Sequence, residues 1–369
     1  MADPAFHDRP FDPGTLTKLK IFELYTQEWL PVFLAKPIPP FPEVHIFDFF
    51  CGPGTDSVGQ HGSPLRVLSV LRGYQESGRL AGWGKATIIA HFFDADAEKI
   101  ERLREAIQGL GGGVPGVQID VRATPFARAL KEYDRVLRDP SAAKLLIIDQ
   151  FGVDEVSAAV FDQLLSFPRT DFIFFLSSST LHRFRDHPAI KQKIERPEDS
   201  YHVHRAAFAY YRGRLSKNAA YFLAPFSIKK GSNIYGLIFG SQHPLGIYKF
   251  LRVAWKNDEI AGEANFDIER ENIAPEEGVL AFEEMRPKKI VAFERELETA
   301  IREGEMGDEA DLCRFCLEAG MTPQHATSVL SRLKKQKIVE CGFRVPDIDR
   351  MDKPRPVRLQ RSGQVMREV

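Results

Sequence analysis

Four features that would indicate a compartment or a partner are absent from this sequence. No apolar run approaches the roughly 18 residues that a membrane-spanning helix needs, and no charged-then-apolar segment opens the chain as in a secretory signal. The net charge is only −1, so no overall basic or acidic character indicates a partner. Four cysteines are too few for a disulfide framework. We therefore expect a cytoplasmic protein that does not enter membranes.

The sequence does contain enough apolar residues to bury more than one core. They make up 43% of 369 residues, and this length suits two domains of about 150 residues each. Charge separates them, because residues 257–285 carry ten acids and one base, whereas residues 321–369 carry eleven bases and five acids. We predict a first domain over 1–256, an acidic connector over 257–287 and a second domain over 288–369.

The first 240 residues show the pattern of a parallel sheet with helices on both faces. Continuous apolar runs alternate with segments of helical spacing, which is typical of strands buried on both sides. Two final apolar segments, 220–228 and 233–240, flank a Lys-Lys-Gly-Ser hairpin signal. The pattern predicts a Rossmann-like α/β fold of the class I methyltransferase type, which closes with an antiparallel hairpin and carries an insertion over about 180–215. The five earlier strands are predicted over 44–50, 86–93, 117–120, 144–148 and 172–176.

The last 80 residues predict a winged helix-turn-helix. Three helices over 288–303, 308–319 and 323–336 precede a ribbon formed by 338–344 and 355–360. A recognition helix of this kind enters the major groove, and basic side chains on helix and wing neutralise phosphates. Winged helices also bind proteins, so that alternative stays open. The candidate nucleic-acid-binding residues are Arg332, Lys334, Lys335, Lys337, Arg344, Arg355 and Arg358.

A glycine turn after the first strand is the most informative motif. Residues 44–54 read Val-His-Ile-Phe-Asp-Phe-Phe-Cys-Gly-Pro-Gly, so that a buried strand containing Asp48 runs into the turn. Ligands of doubly wound sheets lie outside the carboxyl ends of the strands, and glycine lets the backbone approach them closely. A nearby acid suits a cationic or hydroxyl-rich ligand better than a pyrophosphate. The third glycine of a dinucleotide fingerprint is missing, which disfavours NAD and FAD. These features favour S-adenosylmethionine as the cofactor.

Each acid that follows a predicted strand has a possible task toward that cofactor. Asp94 would accept from the ribose hydroxyls, Asp120 from the adenine amino group, and Asp48 would orient the ammonium. The alternative is that polar residues gather at strand ends in any α/β protein, because loops begin there. The predicted cofactor-binding residues, which include Val121 stacked on the adenine ring, are Asp48, Phe50, Cys51, Gly52, Gly54, Asp94, Asp120 and Val121.

The fourth strand is followed by a candidate catalytic turn, Asp149-Gln150-Phe151-Gly152. Methyltransferases that act on exocyclic amines place an acid or Asn, two prolines and an aromatic residue here, so that the amine is oriented and a flipped base is stacked. This chain keeps the acid and the aromatic residue and lacks the prolines. We predict catalytic roles for Asp149, Gln150 and Phe151; the alternative is an ordinary strand-to-helix turn.

No metal site is predicted. His202 and His204 lack a matching cysteine or carboxylate pair at zinc-ligand spacing. Cys313 and Cys316 lie at core spacing within a helix, which favours buried thiols that pack as small apolar groups.

Four ordered blocks resemble the bacterial three-Cys-motif partner proteins. They are Phe-Asp-Phe-Phe-Cys-Gly-Pro-Gly, Gly-Ser-Pro-Leu at 62–65, Ile-Asp-Gln-Phe-Gly at 148–152, and the strand at 171–179 that ends in three serines. The resemblance covers about residues 15–240. It implies a fold like that of class I methyltransferases and a partner protein whose three-cysteine motif resembles a radical-type iron–sulfur cluster site. Gln150 stands where the family usually has proline.

Three functions are consistent with these features. The leading hypothesis is S-adenosylmethionine-dependent methyl transfer to a nucleic acid, with Asp149 orienting the acceptor. The second is a catalytically degenerate adaptor that recruits a cluster-bearing partner to nucleic acid. The third is a DNA-binding regulator that senses an adenine-containing ligand.

Overall fold

The chain forms two compact units. One consists of Met1–Val253 with Ala264–Phe266, and the other of Ala254–Glu263 with Asp267–Val369. The computed structural model describes residues 8–150, 156–176, 203–215, 221–230, 233–265 and 288–360. Among the helices in these ranges, none has the combined length and apolar character that crossing a membrane requires.

A seven-stranded sheet forms the centre of the first unit. Its strands are β1 (Glu43–Asp48), β2 (Thr87–Asp94), β3 (Val117–Ala123), β4 (Ala142–Ile148), β5 (Thr170–Leu176), β6 (Phe222–Lys230) and β7 (Asn233–Ser241). Their order is β3-β2-β1-β4-β5-β7-β6. The first five run parallel, whereas β7 is antiparallel to both β5 and β6. The predicted Rossmann-like parallel sheet with its closing antiparallel hairpin is therefore confirmed.

Helices follow the strands in alternation. They are α1 (Pro13–Leu34), α2 (Ser63–Ser77), α3 (Ala97–Gly109), α4 (Phe126–Glu132), α5 (Asp134–Leu137), α6 (Ala158–Ser166), α7 (Val203–Gly213) and α8 (Pro244–Asn257). The leading helix begins where Asp12 accepts from the backbone N–H groups of Gly14 and Thr15, with proline in its first turn. A core rich in phenylalanine packs against the sheet, and Phe47, Phe161 and Phe172 are fully buried within it.

Three local features differ from what the sequence pattern indicates. The Ser-Pro pair at 63–64 predicts Ser63 as the N-cap of α2, but Gly62 occupies the N-cap and Ser63 lies inside the first turn. The residues over 125–137 predict a single helix, but the structure has two short helices, α4 and α5. Helix α8 was not predicted, although Pro244 marks its first turn. The insertion at 180–202 and most of the acidic connector, 266–287, lie outside the described residues.

The second unit contains three helices and a small ribbon. These are α9 (Lys288–Glu303), α10 (Glu309–Glu318), α11 (Thr327–Lys335), β8 (Val339–Cys341) and β9 (Val357–Leu359). The segment Pro323–Ala326, expected to begin the third helix, is a 3₁₀ turn capped by Thr322, and the α-helix begins four residues later. Cys313 and Cys316 are fully buried, as predicted.

Candidate functional site

The glycine turn after β1 has a conformation that side chains would not tolerate. Gly52 and Gly54 have φ angles of +63° and +88°, in the left-handed region that favours glycine. A Cβ atom at Gly54 would lie 2.9 Å from Cδ1 of Leu103 on α3. The carbonyl of Gly54 also accepts a 2.7 Å hydrogen bond from the N–H of Gly62. The turn therefore presents bare backbone at the carboxyl edge of the sheet.

Asp94, the last residue of β2, connects this turn to the neighbouring strand. Its Oδ2 accepts from the N–H of Gly52 at 3.2 Å, and its Oδ1 accepts from the N–H of Asp96 at 3.0 Å. The carboxylate is only partly buried. Since each carboxylate oxygen has two acceptor positions, both oxygens retain capacity for a ligand.

Asp48 lies beneath the turn and is completely buried. Its Oδ1 accepts from the N–H of Phe50 at 3.2 Å. Burial raises the pKa of Asp48 to about 7, and the nearby charges of Asp149 and Asp94 add to the rise, whereas the Ser63 hydroxyl opposes it. Even so, Oδ2 reaches no hydrogen-bond partner among the described residues. A buried acceptor without a donor is costly, so this atom is suited to a ligand donor.

Asp149 follows β4 at the same edge and forms a buried ion pair with Lys18 of α1. The Lys18 Nζ and Asp149 Oδ1 atoms are 2.6 Å apart, and the two side chains are 3% and 5% exposed. The ammonium of Lys18 also lies 4.4 Å from the centre of the Phe175 ring. Burial raises the pKa of Asp149, and Lys18 opposes that rise. Lys18 was not predicted from the sequence as part of the site, although it lies on the same helical face as the core residues Phe22 and Tyr25.

Gln150, in the candidate catalytic turn, is buried and bonds to two backbone groups. Its Nε2 donates to the carbonyl of Phe175 at 2.9 Å, and its Oε1 accepts from the N–H of Val156 at 3.2 Å. These bonds connect the ends of β4 and β5 and give Gln150 a positioning function within the turn. Phe151, the third predicted catalytic residue, lies outside the described residues.

The prediction that Asp120 lies at the carboxyl edge is wrong. Strand β3 continues to Ala123, which pairs with Asp94, whereas Asp120 pairs with His91. Three residues of strand place Asp120 about 10 Å from the edge. Its carboxylate accepts from His91 Nδ1 at 3.0 Å, from Arg122 Nε at 2.7 Å and from the Tyr133 hydroxyl. These donors hold the pKa of Asp120 far below its ordinary value despite partial burial.

Three other predicted cofactor residues also contact protein groups. The carbonyl of Val121 accepts from Arg104 of α3 at 2.7 Å. Cys51 is buried beside Asp48 and Asp94, and burial raises the pKa of its thiol. Phe50 packs at the rim of the phenylalanine core.

The predicted basic residues of the second unit divide into two groups. Arg355 forms a two-pronged ion pair with the fully buried Glu309, Lys334 donates to the carbonyl of Phe343, and Arg332 pairs with Glu298 at 2.6 Å. The others are exposed and form no ion pair within the described ranges: Lys335, Lys337, Arg344 and Arg358.

Solved structures to which this chain is similar share little of its sequence. An rRNA methylase from Streptococcus thermophilus is 11% identical, over 59% of this chain and 92% of that chain, with a TM-score of 0.30. SMU.1697c, a candidate methyltransferase from Streptococcus mutans solved in complex with SAH, is 10% identical to this chain. The match covers 63% of this chain and 99% of that chain, with a TM-score of 0.30. A candidate O-methyltransferase from Klebsiella pneumoniae is 15% identical to this chain. The match covers 63% of this chain and 90% of that chain, with a TM-score of 0.31. No protein-family model and no curated protein matches the chain.

Proposed function

We propose that the first unit binds S-adenosylmethionine at the carboxyl edge of its sheet and transfers a methyl group. The observation that carries this proposal is that the buried Oδ2 of Asp48, four residues before Gly52, reaches no hydrogen-bond partner in the described part of the chain. Asp48, Asp94 and Asp149 lie close enough for the latter two to raise the pKa of the first. Only Asp149 has a buried cation beside it among the described residues. An edge with this excess of negative charge favours a ligand that carries an ammonium and a sulfonium over one that carries a pyrophosphate.

Each residue has a task that follows from its contacts. Asp48 accepts from the ligand ammonium through the oxygen that lacks a protein donor. Asp94 accepts from the ribose hydroxyls through the remaining lone pairs of a carboxylate that is already fixed by two backbone N–H groups. Gly52 and Gly54 let the backbone pack against the amino acid part of the ligand. Asp120 has no task in this site, because its carboxylate is distant and already has three donors.

The bound cofactor would supply a methyl group on a positively charged sulfur. The contribution of the protein to transfer is to hold an acceptor in line with that group and to exclude water. Asp149 would orient the acceptor, since the charge of Lys18 favours the ionised form and a carboxylate keeps further acceptor positions. The side chain of Gln150 is held beside Asp149 by its hydrogen bonds to the backbone of Phe175 and Val156.

Calorimetric titration with S-adenosylmethionine, S-adenosylhomocysteine and NAD tests the proposal. We expect the first two to bind and NAD not to bind. Losing a hydrogen bond to a charged group costs about 1.5–3 kcal/mol, so Asp48→Asn and Asp94→Asn should each weaken binding about tenfold or more. The control is Glu105→Gln, which removes an exposed acid on α3. Wild-type affinity in both aspartate variants, or preferential binding of NAD, would refute the site.

We propose that the acceptor is a nucleic acid bound by the second unit as a winged helix. The support is the set of four exposed bases without ion pairs, among the described residues, on and after α11. Replacing Lys335 and Lys337 by glutamine should weaken binding to duplex DNA or RNA. It should also lower the dependence of log affinity on log salt by about 0.9 for each phosphate that is no longer neutralised. Arg295→Gln, an exposed charge change on α9, is the control. An unchanged salt dependence in the double variant would remove the support for this interface.

A catalytically degenerate adaptor is the second candidate, and the Lys18–Asp149 ion pair favours it. A carboxylate held by a buried lysine is a structural feature that a chain without turnover would also keep. The resemblance to three-Cys-motif partner proteins supports a cluster-bearing protein as the recruited partner. Cofactor binding without methylated product, together with co-purification of an iron–sulfur protein, would select the adaptor. An altered DNA affinity on cofactor binding would instead select the ligand-sensing regulator.

A further inference from the structure

A cavity lies at the edge of the sheet opposite to the glycine turn. Its floor includes Thr170 and Asp171, which begin β5, and its walls come from α1 and the loop before β1. Because β5 runs parallel to β1, the amino end of β5 and the carboxyl end of β1 lie at opposite edges. The cavity volume is about 200 Å³. A void of about 150 Å³ can take up benzene, so this one can hold a planar ring.

Several aromatic side chains line the cavity. Trp29 and Phe33 of α1 have ring centroids 4.7 Å apart, and Phe33 and Phe41 have centroids 5.8 Å apart. Tyr25 completes the floor and is completely buried. The rings meet at tilted angles of 60° and 54°. Such a surface favours a flat, π-rich ligand, since base–aromatic stacking contributes about 1–3 kcal/mol per base.

Two polar groups at the floor give the cavity a hydrogen-bonding edge. The carboxylate of Asp171 accepts from the Tyr25 hydroxyl at 2.7 Å. Burial raises the pKa of Asp171 to about 6, and donors of Ser241, Tyr25 and Trp29 oppose the rise. Although Trp29 faces this carboxyl, its Nε1 is buried and reaches no acceptor at hydrogen-bond geometry within the described residues. The floor thus presents a carboxylate acceptor beside an unsatisfied N–H donor.

The rim carries an exposed cation in an unusual backbone conformation. Arg169 has a φ angle of +52°, which costs about 1 kcal/mol or more for a residue other than glycine. Its guanidinium lies 5.8 Å from the centre of the Phe41 ring and has no ion-pair partner in the described part of the chain. Lys249 also lines the cavity, but Glu28 neutralises it at 3.1 Å. The net effect at the rim is a guanidinium that is available to an anion.

We propose that this cavity binds a nucleotide, with the base among the aromatic rings and the phosphate on Arg169. A base carries ring nitrogens and N–H groups on one edge, which match the Trp29 donor and the Asp171 acceptor. A purely apolar ligand would leave the Trp29 N–H without an acceptor among the described residues. An organic cation would meet the guanidinium at the rim. The nucleotide is either a free nucleoside monophosphate or part of a nucleic acid strand, and the site does not depend on the proposed cofactor.

The test is calorimetric titration of the full chain with AMP, adenosine and a five-residue oligoadenylate. Each titration is run with and without saturating S-adenosylhomocysteine, so that adenosine binding at the glycine turn cannot mimic the result. Arg169→Gly removes the guanidinium and also relieves the left-handed backbone, so this variant should fold at least as well as the parent. Arg169→Lys keeps the charge, and Arg128→Gln, an exposed arginine on α4, is the control.

We expect AMP to bind more tightly than adenosine, and Arg169→Gly to weaken AMP binding about tenfold, as the loss of a charged hydrogen bond predicts. Arg169→Lys should retain most of the affinity. Binding by oligoadenylate alone, with the same dependence on Arg169, would identify a nucleic acid strand as the source. Absence of binding by every probe, or equal AMP affinity in the parent and Arg169→Gly, would overturn the proposal. AMP binding that occurs only without S-adenosylhomocysteine would overturn it as well.

Discussion

Replacing Lys18 by methionine should destabilise the first unit more than any exposed charge change. The variant leaves the Asp149 carboxylate, which is 5% exposed, without the ammonium that lies 2.6 Å from it. Removing one partner of a buried ion pair costs about 3–5 kcal/mol. The matched control is Lys20→Met, which makes the same chemical change at an exposed position of α1 and should alter stability by less than about 0.5 kcal/mol. Urea denaturation followed by tryptophan fluorescence measures both.

The pH dependence of this variant provides a separate check. The folded pKa of Asp149 is already raised and should rise further without Lys18. The folded state then binds more protons than the unfolded state, so stability falls as pH rises. The loss of stability caused by Lys18→Met should therefore become smaller when pH falls from about 8 to about 5. Replacing Asp149 by leucine as well should recover much of the loss. A loss of stability in Lys18→Met equal to that in Lys20→Met, or a loss that does not depend on pH, would refute this account of the ion pair.

Three further predictions concern single positions. Gly54→Ala should reduce stability by about 1–3 kcal/mol because its Cβ meets another side chain; Gly59→Ala, at φ +82° with no atom within 4 Å, should cost less in the same denaturation assay. In the parent protein, the raised folded pKa of Asp48, about 7, makes stability fall as pH rises from about 4 to about 7. Asp48→Asn should remove this dependence of stability on pH. Arg355→Met should lower the thermal unfolding midpoint of the second unit because Glu309 loses its ion-pair partner, whereas Arg358→Met, at an exposed position, should leave that midpoint unchanged.

The sheet was predictable because its strands are short apolar runs that alternate with amphipathic segments. Strand β4, with all seven residues buried, is an example, since its apolar run over 145–148 indicates a strand covered on both faces. The end of β3 was misjudged because Arg122 and Ala123 lack that signature and are held in the ladder only by pairing with β2. Pairing between strands is a long-range property, and its extent cannot be read from one segment.

The glycine turn was predictable, because positive φ angles at Gly52 and Gly54 follow from a local motif. The partner of Asp149 was not, because Lys18 lies 131 residues away in the sequence and reaches the edge only once α1 has packed on the sheet. A lysine on the buried face of an amphipathic helix was nevertheless a signal, since burying an unpaired charge is prohibitive. The position of Lys18 on the buried face of α1 therefore indicated a buried acidic partner, but not which acid it is.

Asp48 and Asp149 differ in their charged neighbours, and this contrast bears on whether the edge performs chemistry. Burial raises the pKa of both carboxyl groups, but the ammonium of Lys18 opposes the rise at Asp149, whereas the neighbouring acids add to the rise at Asp48. Binding of a ligand ammonium would therefore release a proton from Asp48 near neutral pH. Asp149 would undergo no comparable change. A catalyst needs both groups, one to recognise the cofactor and one to orient an acceptor, whereas a ligand-binding adaptor needs only Asp48. Retained cofactor affinity with lost turnover in the Lys18→Met, Asp149→Leu double variant would therefore assign Asp149 to catalysis.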